Sequence, residues 1–459
     1  MVHISLCVIA KDEEENIARC LDSVRGVCDE IIVVDTGSRD RTAEVAASRG
    51  ARVFNHPWGD DFAAARNAGL ERATGRWILV LDADEELTEG GELLKQLARS
   101  SDAEGFFLRI RNEMGEGRPT LTATAPRFFR NRPEHRYSGR VHEQIAHRIR
   151  RSGALAHANV TILHHGYQPR AIRNRRKIER NLRLIKAALV EDDVPLMRFH
   201  LGVEYMRLED FASARREMLR VWEEIARDEY FAPWAVRDLV VCDLMLGEPE
   251  EAIRHASEGL DRFPGYPDLL YLKGEALASL GRYGEAIQVL EECLRTRPAC
   301  PSYSTLEGLD GYVTLTRLGD LYRALGDPDR AREHYRRAAR DPRALGAVRA
   351  LTALGESPSG LPEDEATLLA VVDGLMDRGE LEQAERLLED RRSAAALYRK
   401  GLLALQRGDR RRAHSLWLEL RGADLEEEVG LALVLLSAVM GFRDQARAGA
   451  EEMARRGSA

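Results

Sequence analysis

Between Arg76 and Leu87 the chain reads RWILVLDADEEL, an apolar run that ends abruptly in acids. Asp82, Asp84, Glu85 and Glu86 stand almost side by side, which is costly because like charges repel and lose hydration when crowded. Two arrangements offset that cost. A helix N-terminus welcomes negative charge through its unpaired N–H groups, and a divalent cation welcomes carboxylate oxygens directly.

The surroundings of that stretch set its context. HISLCVIA at the start is a continuous apolar strand, and EEENIARCLDSVRGV follows with helical spacing at Ile17, Leu21 and Val24. EIIVVD then reads as a strand, RDRTAEVAASRG as a helix closed by Gly50, and ARVFNH as a strand. DFAAARNAGLERATG is the next helix and WILVLDAD the next strand. Strands that are apolar throughout and alternate with helices predict a mostly parallel, Rossmann-like α/β sheet covered on both faces. Ligands of such sheets bind beyond the carboxyl ends of the strands. Asp35 and the Asp82/Asp84 pair fall there.

From about residue 197 the strands are expected to vanish and a repeat takes over. Gly247, Ala252 and Pro264 recur 34 residues on as Gly281, Ala286 and Pro298, the period of tetratricopeptide helix pairs. Gly202/Ala214, Gly274/Ala286, Gly319/Ala331 and Gly401/Ala413 share a 12-residue separation, with Ala384 and Ala446 expected to anchor further units. The reading is an all-α solenoid of six or seven units, with small residues permitting close helix approach. The run LALVLLSAVMGF is about a dozen residues, short of the roughly 20 needed to span a bilayer, and reads as a packed solenoid helix.

Bulk composition narrows the function classes. With 459 residues and 44% hydrophobic content, several folded domains are expected. A net charge of −8 gives no global pull toward nucleic acid or anionic membrane. Six scattered cysteines (Cys7, Cys20, Cys28, Cys242, Cys293, Cys300) contain no CxxC pair, which argues against a zinc site or a disulfide scaffold. The start reaches KDEEEN without a basic opening and does not read as a signal peptide. A cytoplasmic protein is expected, with no membrane span and no nucleic-acid partner. Between the halves lies a stretch holding His142, His147, His157, His164 and His165, followed by an Arg-rich helix from about Ala171 that reads as a solvated linker or an anion site. The expected domains are 1–168, a linker helix at 169–196, and a repeat array at 197–459.

At this point the first half resembles a family-2 glycosyltransferase of the GT-A fold. The stretches that carry the resemblance are ISLCVIAKDEEENIARCLDSV, IIVVDTGSRDRTAEVA, DFAAARNAGLERATGRWILVLDADEEL, YSGRVHEQI and ILHHGY. The branch resembled has bacterial members with C-terminal tetratricopeptide repeats, some glycosylating peptides, including at cysteine, and others acting on surface saccharides. The resemblance implies transfer of a sugar, with inversion, from a nucleotide-sugar donor (commonly UDP-linked) to a peptide, protein or saccharide acceptor. It implies Mg²⁺ or Mn²⁺ held by Asp82, Asp84 and His164, with Asp82 also contacting the ribose. The donor pocket would draw on Ala10, Lys11, Glu13, Asp35, Thr36, Gly37, Ser38, Arg66, Asn67, Asp82 and Ala83. Asp12 stands where the family usually has Asn. An inverting displacement needs a general base; Glu143 in GRVHEQ is the candidate, with Glu85 in reserve.

Local alternatives stand beside these assignments. The acidic strand end has a helix-cap alternative, Asp35 an Asx turn or cap with Asp40 better placed to cap, Arg66 a surface residue, Glu143 a hydrogen-bond anchor and His164 or His165 ordinary strand-end residues. A nucleotidyltransferase is disfavoured, since Lys11-Asp12-Glu13-Glu14-Glu15 would repel triphosphate. A dinucleotide dehydrogenase lacks its GxGxxG. The alternative of another class is a repeat-based interaction scaffold with an inactive, nucleotide-binding transferase half. A protein partner or a second copy of the chain would bind through the repeats.

Overall fold

The apolar runs become the strands of one sheet because each buries both faces. A computed structural model describes residues 3–112, 120–165, 175–226, 229–296, 303–356 and 364–420. Strands β1 (Ile4–Ala10), β2 (Glu30–Asp35), β3 (Arg52–Asn55) and β4 (Trp77–Asp82) pair in parallel in the order β3-β2-β1-β4. Leu6, Val8, Val33 and Leu79 enter the core on one face, while Cys7, Ile32, Val34 and Val80 enter that on the other. A one-residue slip would exchange the two sets, so the register is strongly fixed. Helices α1 (Ile17–Ser23), α2 (Thr42–Ser48) and α3 (Phe62–Leu70) are the intervening crossovers.

The sheet is more mixed than the alternating grammar predicts. Beyond β4 it continues as β7 (Leu121–Arg130), β6 (Gly105–Asn112), β8 (Leu155–His164) and β5 (Glu85–Glu89), with helices α4 (Gly91–Ser100) and α5 (Ala146–Ser152) between them in the chain. β7 runs antiparallel to β4, β6 antiparallel to β7, and β5 antiparallel to β8. Trp77 and Phe128 stack across the β4–β7 seam at 4.7 Å. The acidic cluster therefore joins two strands, β4 and β5, and the next helix starts only at Gly91 with Gly90 as its cap. That removes the helix-cap reading of Asp82 to Glu86.

The chain forms two compact units, Met1–Asp310 and Gly311–Ala459. In the first, the sheet is followed by α6 (Arg175–Glu191), α7 (Pro195–Arg207), α8 (Phe211–Glu224), α9 (Ala232–Met245), α10 (Pro249–Arg262), α11 (Pro267–Ser279) and α12 (Tyr283–Arg295). The helix read as a linker is packed on the sheet domain: Leu184 and Ile185 of α6 share a core cluster with Val141, Leu201 and Phe62. Strands do not vanish after residue 197 either. A short β9 (Thr305–Leu306) pairs with β7, and Glu307 forms an ion pair with Arg111. A two-residue strand carries no periodicity a sequence could show.

The second unit contains α13 (Tyr312–Ala324), α14 (Pro328–Ala338), α15 (Leu345–Ala353), α16 (Glu365–Arg378), α17 (Leu381–Leu388), α18 (Ala394–Gln406) and α19 (Arg410–Leu418). Ala446 and the run LALVLLSAVMGF lie outside the described residues, as does Pro298. The repeat glycines are of two kinds. Gly202, Gly274, Gly319 and Gly401 each face a large side chain of the next helix. An added Cβ would stand 2.7 Å from Met218 or Leu290 and closer still to Tyr335 and Trp417. Gly247 and Gly281, by contrast, sit in open turns at φ 75° and 72°, a left-handed conformation that glycine adopts without cost. Among the described residues no helix is long and apolar enough to cross a membrane.

Candidate functional site

The strand order reverses direction between β1 and β4, and a cleft of about 930 Å³ opens at their carboxyl ends. Such a switch point is where open α/β sheets bind ligands. Ala10, Lys11, Asp12, Glu13, Thr36, Asp82, Ala83 and Asp84 line it from the strand ends, with Arg66, Arg127 and Glu143 among the residues opposite.

The turn after β2 is built from side-chain hydrogen bonds. Ser38 donates through its backbone N–H and its hydroxyl to Asp35 Oδ1, at 3.1 and 2.6 Å. Ser38 Oγ accepts from Asp12 N at 3.0 Å, and Thr36 N donates to the Ala10 carbonyl. Asp35 thus forms the Asx-type turn that was its structural alternative, and Thr36 rather than Asp35 reaches the cleft wall. Gly37 at φ 103° permits the tight bend. Asp40 accepts from Thr42 N at 3.0 Å as a turn ahead of α2 rather than as its cap, since Arg41 holds the N-cap position and no side chain caps it.

Two arginines clamp the end of β4. Arg66 of α3, a helix capped by Asp61 accepting from Ala64 N, donates to Asp82 Oδ1 at 2.7 Å and to Glu143 Oε1. Arg127 of β7 donates to Asp82 Oδ2 at 2.9 Å and to Glu85 Oε1 at 2.7 Å. Burial alone would raise the Asp82 carboxyl, but Arg66 and Arg127 outweigh it and hold it well below the usual carboxylate range. Glu85 is buried, accepts from Asp82 N, and is pushed upward by that burial. It is an internal strut, which removes it as a reserve base. Arg66 Nη1 and Arg127 Nε are buried without a hydrogen-bond partner. Arg127 was not foreseen from sequence; the available signal was the pair of arginines in PRFFR beside a strand ending in acids.

Asn67 does not reach the cleft. Its amide donates to the Tyr137 carbonyl at 2.9 Å and accepts from Tyr137 N at 2.8 Å, so it positions that loop instead. Glu143 does reach it. Its Oε1 is taken by Arg66, and among the described residues no donor reaches Oε2.

At the other edge, β5 and β8 bring Asp84 and His164 together, His164 Nε2 lying 3.3 Å from Asp84 Oδ2. His164 Nδ1 lies 2.9 Å from Asn112 Oδ1, and Asn112 Nδ2 is spent on the Leu121 carbonyl. That network assigns the ring proton to Nδ1, so in the neutral ring Nε2 turns a lone pair toward a carboxylate. Burial would lower the His164 pKa, yet Asp84, Glu85 and Asp82 pull it above its ordinary value. His165 belongs elsewhere, 3.1 Å from Glu86. Asp84 and His164 are thus the pair whose donor set fits a cation, in the pattern of a ligating imidazole oriented by a second hydrogen bond. Among the described residues no set of three His, Cys, Asp or Glu side chains gathers to hold a metal alone. A metal here would complete its shell from the ligand.

The helices close the cleft beyond Glu143. His142, at φ 51°, stacks on His200 of α7 at 3.6 Å and 1°. Burial drives His142 down to about 3 and His200 well below the ordinary histidine value. Tyr230 donates to Gln144 Oε1 at 2.7 Å, which ties the GRVHEQ loop to the helical region.

A mixed α/β domain with acids at its strand ends, followed by paired helices, defines the class. Residues 5–155 match the family model described as glycosyl transferase family 2, and residues 243–309 and 314–345 match tetratricopeptide repeat models. The segment 5–155 is a glycosyl transferase family 2 domain, and tetratricopeptide repeats follow it. A tetratricopeptide repeat-containing protein of Synechococcus elongatus is 45% identical over 146 residues, 32% of this chain and 36% of that protein. The SPbeta prophage-derived glycosyltransferase SunS of Bacillus subtilis is 28% identical over 205 residues, 44% of this chain and 49% of that one. The match thus spans between about a third and a half of these relatives. A solved tetratricopeptide repeat protein from Parabacteroides merdae aligns with a TM-score of 0.33 at 15% identity, over 53% of this chain and 98% of that one.

Proposed function

We propose that the protein is an inverting, metal-dependent glycosyltransferase that moves a sugar from a nucleotide-sugar donor, UDP-linked, to a peptide, protein or saccharide acceptor. The observation that carries this reading is the facing Asp84–His164 pair, 3.3 Å apart in a cleft that also holds Glu143. Asp84 Oδ2 and His164 Nε2 share a proton in the protein alone, and the same two atoms would be its donors to a cation taking that proton's place. Asp84 and His164 would hold Mg²⁺ or Mn²⁺, with the donor diphosphate supplying further oxygens. Such an ion supplies Lewis-acid stabilisation of the charge on the departing nucleoside diphosphate.

The chain's own residues do the rest. Both Asp82 oxygens are engaged by arginines, so Asp82 fixes Arg66 and Arg127 at the strand end and keeps a ribose contact as its remaining role. Thr36, Ala10 and the Asp35–Ser38 turn shape the nucleotide end, with Lys11 and Glu13 at its rim. Arg66 holds Glu143 by one oxygen and leaves Oε2 to take the proton from the acceptor nucleophile. Protein interaction, with a partner or a second copy, is assigned to the repeats.

Calorimetry with UDP, GDP, dTDP and CMP, each with Mn²⁺ and with EDTA, tests the proposal. Binding of one nucleotide that needs Mn²⁺ and is lost in Asp84→Ala is expected. Absence of binding in every condition would sink the transferase reading.

A further inference from the structure

The cleft has an unassigned half. Past Glu143 its described lining comes from the helical region: Lys177, Arg180 and Asn181 of α6, His200 of α7, Tyr230, and Trp234 of α9. These residues include two cations and no carboxylate. Donor-side residues occupy the opposite end, so an acceptor whose nucleophile meets Glu143 must extend over this helical wall.

Several polar groups there lack partners. His142 Nε2 and His200 Nε2 make no hydrogen bond, although the buried Glu204 carboxylate lies 3.8 Å from His142 Nε2, and part of each ring reaches the cleft. Arg180 donates only to Asn181 Oδ1, at 3.3 and 3.1 Å. Its guanidinium lies over the rings of Phe62 at 5.2 Å and Trp58 at 5.9 Å. No carboxylate among the described residues comes within ion-pairing distance of it. Burial lowers its pKa despite the more distant carboxylates of Asp60 and Glu204. Arg66 and Arg127 in the same cleft are, by contrast, each paired with two carboxylates.

We infer that this helical wall is an acceptor subsite for an extended polypeptide segment, and that Arg180 takes the carboxylate of an acidic side chain close to the residue that meets Glu143. The inference rests on the transferase reading above. A polypeptide is favoured by the wall's composition: Trp, Tyr and Arg are the side chains that anchor polypeptide partners. The wall's helices lead directly into the tetratricopeptide repeats that begin at residue 243, an architecture used to bind polypeptides. The cleft-facing residues of the wall include two cations and no carboxylate, the nearest acid, Glu204, being buried behind it against Asn181, which favours an acidic segment over a basic one.

The test uses the full chain, labelled UDP-sugars with Mn²⁺, and two probe sets: a peptide array with acidic, neutral and basic members, and an array of neutral and acidic oligosaccharides. The readout is the ratio of labelling of acidic to neutral peptides, which is insensitive to a general loss of activity. Wild type is expected to favour acidic peptides by roughly tenfold or more, as a charge-assisted hydrogen bond would give. Arg180→Gln is expected to abolish that ratio, and Arg180→Glu to shift labelling toward Lys-bearing peptides. An unchanged ratio in both variants, or labelling of saccharides and no peptide, overturns the inference while the transferase reading stands. Failure of wild type to consume any donor brings down both.

Discussion

The strand-end side of the cleft and its helical side solve opposite problems. On the strand side, Asp82, Glu85 and Glu143 are tied to Arg66 and Arg127, so charges that are costly to bury arrive already paired. On the helical side, a neutral histidine stack and a cation without a carboxylate face the same space. Groups satisfied by the protein set geometry in advance of any ligand, whereas groups left unsatisfied gain their partners only when one arrives. The contrast separates what prepares the chemistry from what selects the molecule.

That contrast can be broken at four points. Glu143→Gln keeps the shape and a partner for Arg66 but removes the proposed base. A fall in transfer of about 100- to 10,000-fold with nucleotide binding retained is expected, read by steady-state turnover beside calorimetry. Arg127→Met leaves Asp82 and Glu85 without their shared cation; urea denaturation should show a loss of about 3–5 kcal/mol, partly restored by adding Glu85→Gln. Asn112→Leu frees His164 to rotate and should weaken Mn²⁺-dependent nucleotide binding by roughly 10–100-fold, with little change in stability if the pair serves the ligand.

The smallest effect is one of pH. His142 and His200 are held neutral in the fold, below the unfolded value of about 6.5, so the unfolded chain binds their protons more readily. Their stabilising contribution is complete above about pH 6.5 and is lost as pH falls toward 3, the value to which His142 is pushed. Urea midpoints should decline over that window. The His142→Phe/His200→Phe double variant should decline less steeply, and an identical slope would show that the stack carries no titration cost.

What the sequence makes legible follows the range of the interactions. Strands β1 to β4 with their crossovers, the acids at the end of β4, and the close-packed repeat glycines each leave a local signature, an apolar run or a fixed spacing, in the chain itself. The β4–β7 seam, Arg127 and the β9 strand depend on pairings between distant segments, which no local pattern encodes. Asn67 shows the same limit in reverse: its place in a recognised motif suggested a ligand contact, but Tyr137, 70 residues on, claims both ends of its amide. Asp35 sits at the expected strand end, and of the two readings the sequence leaves open, nucleotide contact and Asx turn, the structure shows the turn with Ser38.

The stitch formed by β9 has a consequence for how the molecule is made. Arg111 and Glu307 are 196 residues apart in the chain. At ribosomal speeds of about 5–20 residues per second, the segment that completes the sheet emerges roughly 10–40 seconds after the strand awaiting it. Throughout that interval the Leu121–Thr122 end of β7 lacks the partner that finally covers it. The sheet therefore begins to form well before it can be completed, and a chain cut short before Tyr303 would leave that end of β7 uncovered.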